Sequence, residues 1–158
     1  MNNEITLRTG DKSMLDDIQG LWEQLNELHM TKSPDFKHHY NAFTFTARKK
    51  SLLEKADNGQ IYLVAAYDRG VMIGYCVSSI TGDSGEIDSI YIEPDYQNKH
   101  IGHMLMETSL NWFKANNTRA IDIAVSVGNE DVFGFYAKYG FKPRLTVLRQ
   151  PLGETEVL

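Results

Sequence analysis

The chain has 158 residues, of which 42% are hydrophobic and 23% are charged, a length and balance that suit one globular domain with a sizeable buried core. Its formal net charge of -5 argues against nucleic-acid binding, because that function needs a basic surface to displace counterions from phosphates. An amine or another cationic substrate fits this charge better.

The lone cysteine, Cys76, excludes an internal disulfide and any cysteine-cluster metal site, and it fits a reducing compartment. We interpret it as a small buried hydrophobe within "VMIGYCVSSI". The N-terminal "MNNEITLRTG" lacks the basic and apolar regions of a secretory signal, and no apolar run approaches the ~18 residues of a membrane span. We therefore expect no membrane partner and a cytoplasmic location.

Hydrophobic periodicity predicts the first elements. The segment "EITLR" alternates like a short strand, and residues 13–30 place apolar side chains at helical spacing. Residues 31–59 are less regular, and they predict a polar helix that ends near Asn58 and Gly59.

From residue 60 the pattern becomes that of a sheet. The segments "QIYLVAAYD" and "VMIGYCVSSI" predict a hairpin, and "EIDSIYIEP" predicts a third strand. A helix at residues 101–115, a strand "AIDIAVSV", a helix at residues 130–139 stopped by Gly140, and a last strand "FKPRLTVLRQ" follow. This order predicts an α/β fold in which helices flank a mixed, largely antiparallel twisted sheet.

A polar loop, Pro94 to His100, links the third of these strands to the helix at 101–115. The first N–H groups of a helix have no partner inside the helix and attract anions, and Lys99 adds a positive charge beside them. A phosphate or pyrophosphate is the natural ligand, and a plain solvated loop is the alternative. His100 and His103 have no third ligand nearby in sequence, so no metal site is predicted.

The loop "QNKHIG" resembles the Q/R-x-x-G-x-G/A acetyl-CoA loop of the GNAT superfamily of N-acetyltransferases, with Gln97 first and Gly102 last. Asn129 ahead of "FGFYAKYGF" resembles the family's asparagine followed by FYxKxGF. His100 departs from the pattern, because the family usually has glycine there. A side chain at this position must point away or adopt an unfavourable φ. Weaker cofactor affinity and help from a protonated imidazole both remain open.

The resemblance implies a GNAT-like acyl-CoA N-acyltransferase fold that binds acetyl-CoA as its co-substrate. One domain, residues 1–158, would combine a variable acceptor side at 1–59 with an acetyl-CoA-binding core at 60–145. Asn129 would bind the pantetheine or cap a helix. The implied cofactor-binding positions are the backbone of Ile90, Tyr91 and Ile92, then Gln97, Asn98, Lys99, His100, Ile101, Gly102 and His103, and Asn129.

Acetyl transfer to an amine needs a base, because an ammonium near pKa ~10.4 cannot attack before it loses a proton. Glu86 has the spacing from Gln97 of the family's frequent glutamate base. Asp88 would face the same side unless a bulge intervenes, and mutual repulsion would raise one pKa. Tyr136 matches the tyrosine of the family motif and is the implied acid for the leaving thiolate. A solvated strand residue and a core aromatic are the alternatives for Glu86 and Tyr136.

These features predict an N-acetyltransferase that moves an acetyl group from acetyl-CoA to a primary amine of a small molecule or peptide. No cysteine lies near the predicted site, so direct transfer is expected. The expected partners are acetyl-CoA and the amine acceptor, and a homodimer is left open. The alternative is a noncatalytic acyl-CoA-binding regulatory domain of the same fold.

Overall fold

The computed structural model describes residues 4–151, which fall into two compact units. Residues 4–25 and 44–124 form the first unit, and residues 26–43 and 125–151 form the second. The strands are β1 (Ile5–Gly10), β2 (Gln60–Asp68), β3 (Val71–Thr81), β4 (Ser84–Ile92) and β5 (Ala120–Ile123). The α-helices are α1 (Gln19–Lys32), α2 (Lys37–Ala42), α3 (Phe45–Asn58), α4 (Ile101–Ala115) and α5 (Phe133–Ala137), with 3-10 turns at Lys12–Ile18, Pro94–Tyr96 and Glu130–Val132.

All five of these strands lie in the first unit and form one sheet in the order β1-β2-β3-β4-β5. Neighbouring strands run antiparallel, except that β4 and β5 run parallel. The helices α3 and α4 both contact β2 and β3. The predicted mixed, largely antiparallel α/β sheet is therefore confirmed.

The central strands β2 and β3 supply half of the buried apolar side chains among the described residues, because both strands are buried along almost their whole length. The β2–β3 hairpin and the bounds of α4 agree with the sequence prediction. Cys76 is fully buried, as predicted, and burial raises the pKa of its thiol to about 11.

The C-terminal prediction is wrong in part. The residues from 141 to 150 form no strand. Pro143 lacks the N–H that a ladder needs, and the apolar side chains that should have formed a buried face are exposed: Leu145 by 61%, Val147 by 76% and Leu148 by 91%. The predicted helix at 130–139 is a 3-10 turn followed by the short α5.

Within the part of the chain that the structure describes, no helix has both the length and the apolar character that a bilayer crossing requires.

Gly59, between α3 and β2, lies close to the backbone of β3. A Cβ at this position would lie 2.0 Å from the carbonyl oxygen of Ile80. Because that oxygen belongs to the sheet and cannot move aside, Gly59→Ala should lower the free energy of unfolding by about 1–3 kcal/mol in urea titrations. In α1, a Cβ at Gly20 would meet nothing within 4 Å, so Gly20→Ala should raise it by up to about 1 kcal/mol. Equal effects would contradict the steric explanation.

Candidate active site

The strand β4 loses one of its neighbours halfway along its length. On one side β3 pairs with it from Ser84 to Ile92, whereas on the other side β5 pairs only with Ser84 to Ile87. From Asp88 to Ile92 this second edge has no strand partner in residues 4–151. We call this segment the open edge. It can add another extended chain by backbone hydrogen bonds.

Backbone groups alternate in direction along an antiparallel strand. The amide of Glu93 donates to the carbonyl oxygen of Ile73 at 2.9 Å, so Glu93 faces β3. By alternation Tyr91 also directs its N–H and C=O to β3, whereas Ile90 and Ile92 direct theirs to the open edge. These two residues thus present the hydrogen-bonding groups of this edge.

A β-bulge lies where the open edge begins. Opposite Val77 and Ser78 of β3, the strand β4 places three residues, Ile87–Ser89, and Asp88 is the one without a partner. Such a bulge bends a strand and increases its twist. The Nη2 atom of Arg48, in α3, donates to the carbonyl oxygen of Asp88 at 2.6 Å. A helix therefore holds the backbone at the point where β4 leaves β5.

The loop after β4 is anchored at two points. The Nε2 atom of Gln97 donates to the carbonyl oxygen of Ile92 at 2.9 Å. The hydroxyl of Tyr96 donates to the carboxylate of Asp68, and this bond is the main cause that lowers the pKa of Asp68. Lys99 lies over the Tyr96 ring, with 5.5 Å from its Nζ to the ring centroid.

The helix α4 begins directly after this loop, and no side chain caps its N-terminus. Its first-turn N–H groups lack acceptors inside the helix, and its dipole favours an anion there. The predicted phosphate-binding residues surround this end: Gln97, Asn98, Lys99, His100 and His103 are exposed, Gly102 is partly exposed, and Ile101 is buried.

The backbone angle of His100 shows how the chain accommodates a side chain at the position where the family usually has glycine. Its φ is 65°, in the left-handed region, and Asn98 has a φ of 63°. The chain therefore makes the turn with an imidazole-bearing residue where glycine is usual, at a backbone cost of about 1–2 kcal/mol.

Glu86 and Asp88, the carboxylate pair, bind the same cation. The Nζ atom of Lys55, in α3, donates to Glu86 Oε1 at 2.9 Å and also to Asp88 Oδ1. The side chain of Glu86 is 41% exposed and that of Asp88 is 0% exposed. Asp88 Oδ2 is buried without a hydrogen-bond partner. The two carboxylates share one side of β4, but an ammonium lies between them.

Burial is the main cause that raises the pKa of Asp88, and Lys55 and Ser79 oppose it. Repulsion from Glu86 is a minor cause, so the sequence prediction had the right direction for this carboxyl and the wrong main cause. For Lys55, burial acts to lower the pKa, but the bonds to Asp88 and Glu86 outweigh burial and raise it.

Asn129 and Tyr136 belong to the second unit. Asn129 is buried, and its Oδ1 accepts from Lys32 Nζ at 3.3 Å. Its side chain makes no capping bond to the turn that it precedes, so capping, one of its two predicted roles, does not occur. Tyr136 lies half-buried in α5 with its ring edge-on to Phe135 and Phe141.

Sequence reasoning missed Arg48 and Lys55. The two residues are two helical turns apart and therefore lie on the same face of α3. Their spacing was visible in the predicted polar helix, but the sequence did not show which strand that face meets.

The sequence comparisons point to one family. Residues 22–141 match the model of the acetyltransferase (GNAT) family. A Bacillus subtilis protein named "Putative [ribosomal protein bS18]-alanine N-acetyltransferase" is 33% identical over 82 residues, which are 52% of this chain and 54% of that protein. The spermidine N(1)-acetyltransferase of Thermoplasma acidophilum is 26% identical over 91 residues, 58% of this chain and 56% of that enzyme. The chain spans 27% to 56% of the length of the curated relatives that it matches.

Solved structures share the fold. The PaiA N-acetyltransferase of Thermoplasma acidophilum, in complex with coenzyme A, has a TM-score of 0.71 at 20% identity over 93% of this chain and 94% of that one. The aminoglycoside N-acetyltransferase AAC(6')-Iy, in complex with CoA, has a TM-score of 0.69 at 16% identity over 96% of this chain and 97% of that one. At these identities the likeness shows the fold alone, and it confirms the predicted acyl-CoA N-acyltransferase fold.

Replacement of His100 by glycine tests the left-handed turn. Glycine reaches positive φ without a Cβ penalty, so His100→Gly should raise the free energy of unfolding in urea by about 1 kcal/mol. The matched variant His103→Gly also removes an exposed imidazole, but from inside the first turn of α4. It should lower the free energy of unfolding by up to about 1 kcal/mol. Changes of the same sign would refute this account of the loop.

Proposed function

Because the chain belongs to the GNAT family of acetyltransferases, whose model matches residues 22–141, we propose that it moves an acetyl group from acetyl-CoA to a primary amine of a small molecule or peptide by direct transfer. The observation that carries this proposal is the open edge of β4, from Asp88 to Ile92, which leads through one anchored loop to the uncapped N-terminus of α4. Both features lie in the first unit.

These two features suit the two chemically distinct parts of coenzyme A. The pantetheine arm carries amides, which can pair with the outward N–H and C=O of Ile90 and with the outward N–H of Ile92, whose carbonyl already accepts from Gln97. The pyrophosphate suits the first turn of α4, where Lys99 adds a positive charge. When bound, acetyl-CoA supplies an acetyl group activated as a thioester. Asn129 is proposed as a further pantetheine contact on the family resemblance.

Glu86 is the proposed base. It keeps 41% of its side chain exposed, so an incoming amine can reach it, whereas the fully covered Asp88 is out of reach. Glu86 accepts the proton that the amine loses as its nitrogen bonds to the acetyl carbon. Tyr136 gives a proton to the sulfur as the carbon–sulfur bond breaks, a role that rests on the family motif.

The charge of the chain and the names of its relatives support a cationic amine as the proposed acceptor. The net charge of -5 and the carboxylate pair favour a cationic amine. The relatives' names include a ribosomal protein alanine and spermidine, so a panel of spermidine, an alanine-initiated peptide and an aminoglycoside covers three amine types. We assign the acceptor side to residues 1–59 and the acetyl-CoA core to residues 60–145 of one domain, residues 1–158.

A noncatalytic acyl-CoA-binding regulatory domain is the second candidate. The bonds from Lys55 favour it, because both members of the carboxylate pair already bind an ammonium. Both candidates bind CoA, and only the first forms acetylated product.

Binding of acetyl-CoA should stabilise the fold. At about 100 times its dissociation constant, acetyl-CoA should raise the free energy of unfolding by about 2.7 kcal/mol in urea titrations. Gly102→Glu puts an anion into the first turn of α4 and should remove most of this gain. Asn111→Glu adds the same charge at an exposed position further along α4 and should keep it. If NAD or ATP stabilises the protein while acetyl-CoA and CoA do not, the proposal is wrong.

Turnover should depend on Glu86. Glu86→Gln should lower kcat by about 10² to 10⁴ at neutral pH while the affinity for acetyl-CoA stays near that of the wild type. The loss should shrink as the pH rises toward the pKa of the acceptor, because free amine then forms without a base. CoA release and the mass of the acetylated panel amines measure this, with the exposed Glu54→Gln as control. Full activity of Glu86→Gln at neutral pH would exclude Glu86 as the base.

A further inference from the structure

Lys55 joins two carboxylates that differ in their surroundings. Asp88 is 0% exposed and Glu86 is 41% exposed, yet both accept from the same Nζ atom. The side chain of Lys55 is itself only 32% exposed. The ammonium thus connects a covered carboxylate to a reachable one.

Other groups around the carboxylate pair come from three elements. From β3, the Ser79 hydroxyl acts to lower the pKa of Asp88, and the charge of Asp88 acts to raise the pKa of the buried Cys76 thiol. From β5, Asp122 stands in register beside Glu86 in the parallel pair. From α3, Arg48 bonds to a backbone carbonyl of β4 rather than to a carboxylate. Lys55 is therefore the cation that bonds to the carboxylate pair.

We propose that Lys55 is a positioning residue for the acetyl transfer: it holds Glu86 as an ionised, oriented proton acceptor, and the covered Asp88 in turn holds Lys55. This inference rests on the proposed function. Two carboxylates and one ammonium leave one net negative charge, and the half-exposed Glu86 is the member that solvent and an amine can reach. An adjacent ammonium favours the ionised form of a carboxylate, and the bond from Lys55 Nζ at 2.9 Å fixes the position of Glu86 Oε1.

The pH profile of kcat/KM separates this role from a structural one. Loss of the ammonium in Lys55→Met should move the acid limb of the profile to higher pH by about half a unit or more. Lys55→Arg keeps the charge and should keep the limb near its wild-type position. Asp88→Asn keeps a side-chain oxygen that can accept from Lys55 and removes a negative charge beside Glu86, so the acid limb of this variant should move to lower pH. The most active amine of the panel serves as acceptor.

Lys49→Met is the matched control. Lys49 lies on α3, is 33% exposed, and binds Asp16 at 2.6 Å, away from β4. Its removal takes the same charge and a similar ion pair from the same helix. The acid limb should stay in place in this variant, whatever the change in stability.

A second measurement does not need turnover. Carbon-13 NMR titration of the Glu86 side-chain carboxyl, in the protein without acetyl-CoA, should show its midpoint move up in Lys55→Met and down in Asp88→Asn. If Lys55→Met does not fold, Asp88→Asn and Lys55→Arg provide the test. Urea unfolding of each variant reports stability separately.

The outcomes distinguish the two proposals. Wild-type turnover with an unmoved acid limb and an unmoved Glu86 midpoint in Lys55→Met would overturn the role of Lys55 alone. A loss of activity in Asp88→Asn together with an active Glu86→Gln would also overturn it, because the base would then be Asp88. An absence of both acetylated product and acetyl-CoA stabilisation in the wild type would overturn the proposed function and this inference with it.

Discussion

The parallel pairing of β4 with β5 ends at Ile87, and the proposed site depends on that ending. Had the pairing continued, the backbone of Ile90 and Ile92 would be consumed within the sheet. Because it stops, the backbone N–H groups of Ile90 and Ile92 and the carbonyl of Ile90 are left for another extended chain, while the side chains of Gln97 and Arg48 already bond to the carbonyls of Ile92 and Asp88. The bulge at Asp88 turns the strand at this point.

Two cationic side chains of the helix α3 stabilise this bend. Arg48 bonds to the carbonyl oxygen of Asp88 and Lys55 bonds to its carboxylate, so one residue of β4 receives two cations from one helix face. The Asp88 carboxylate is covered, and a covered charge is tolerated only with a close partner. The same contact therefore supports the shape of the strand and the electrostatics of the exposed Glu86.

Local patterns predicted the elements whose signals are local. The β2–β3 hairpin and α4 follow from alternation and helical spacing, and the order of elements fixed the class of fold. The strand predicted at residues 141–150 does not form, and its apolar side chains, such as Leu145, are exposed instead of buried. The polar loop was predicted as an anion site from its place before a helix, and Glu86 was predicted as the base through a family motif. Lys55 was not predicted, because its contact joins positions 31 residues apart and leaves no local signal.

The left-handed turn at His100 shows that this loop needs a positive φ at this position and does not need glycine itself. Histidine and asparagine are among the side-chain-bearing residues found most often at positive φ, and this loop uses one of each, at His100 and Asn98. A motif that demands glycine here would score the chain as defective. A pattern defined by backbone dihedral angles would accept this chain. It would also include other chains in which an imidazole, a group that can form hydrogen bonds, lies at the turn before the helix.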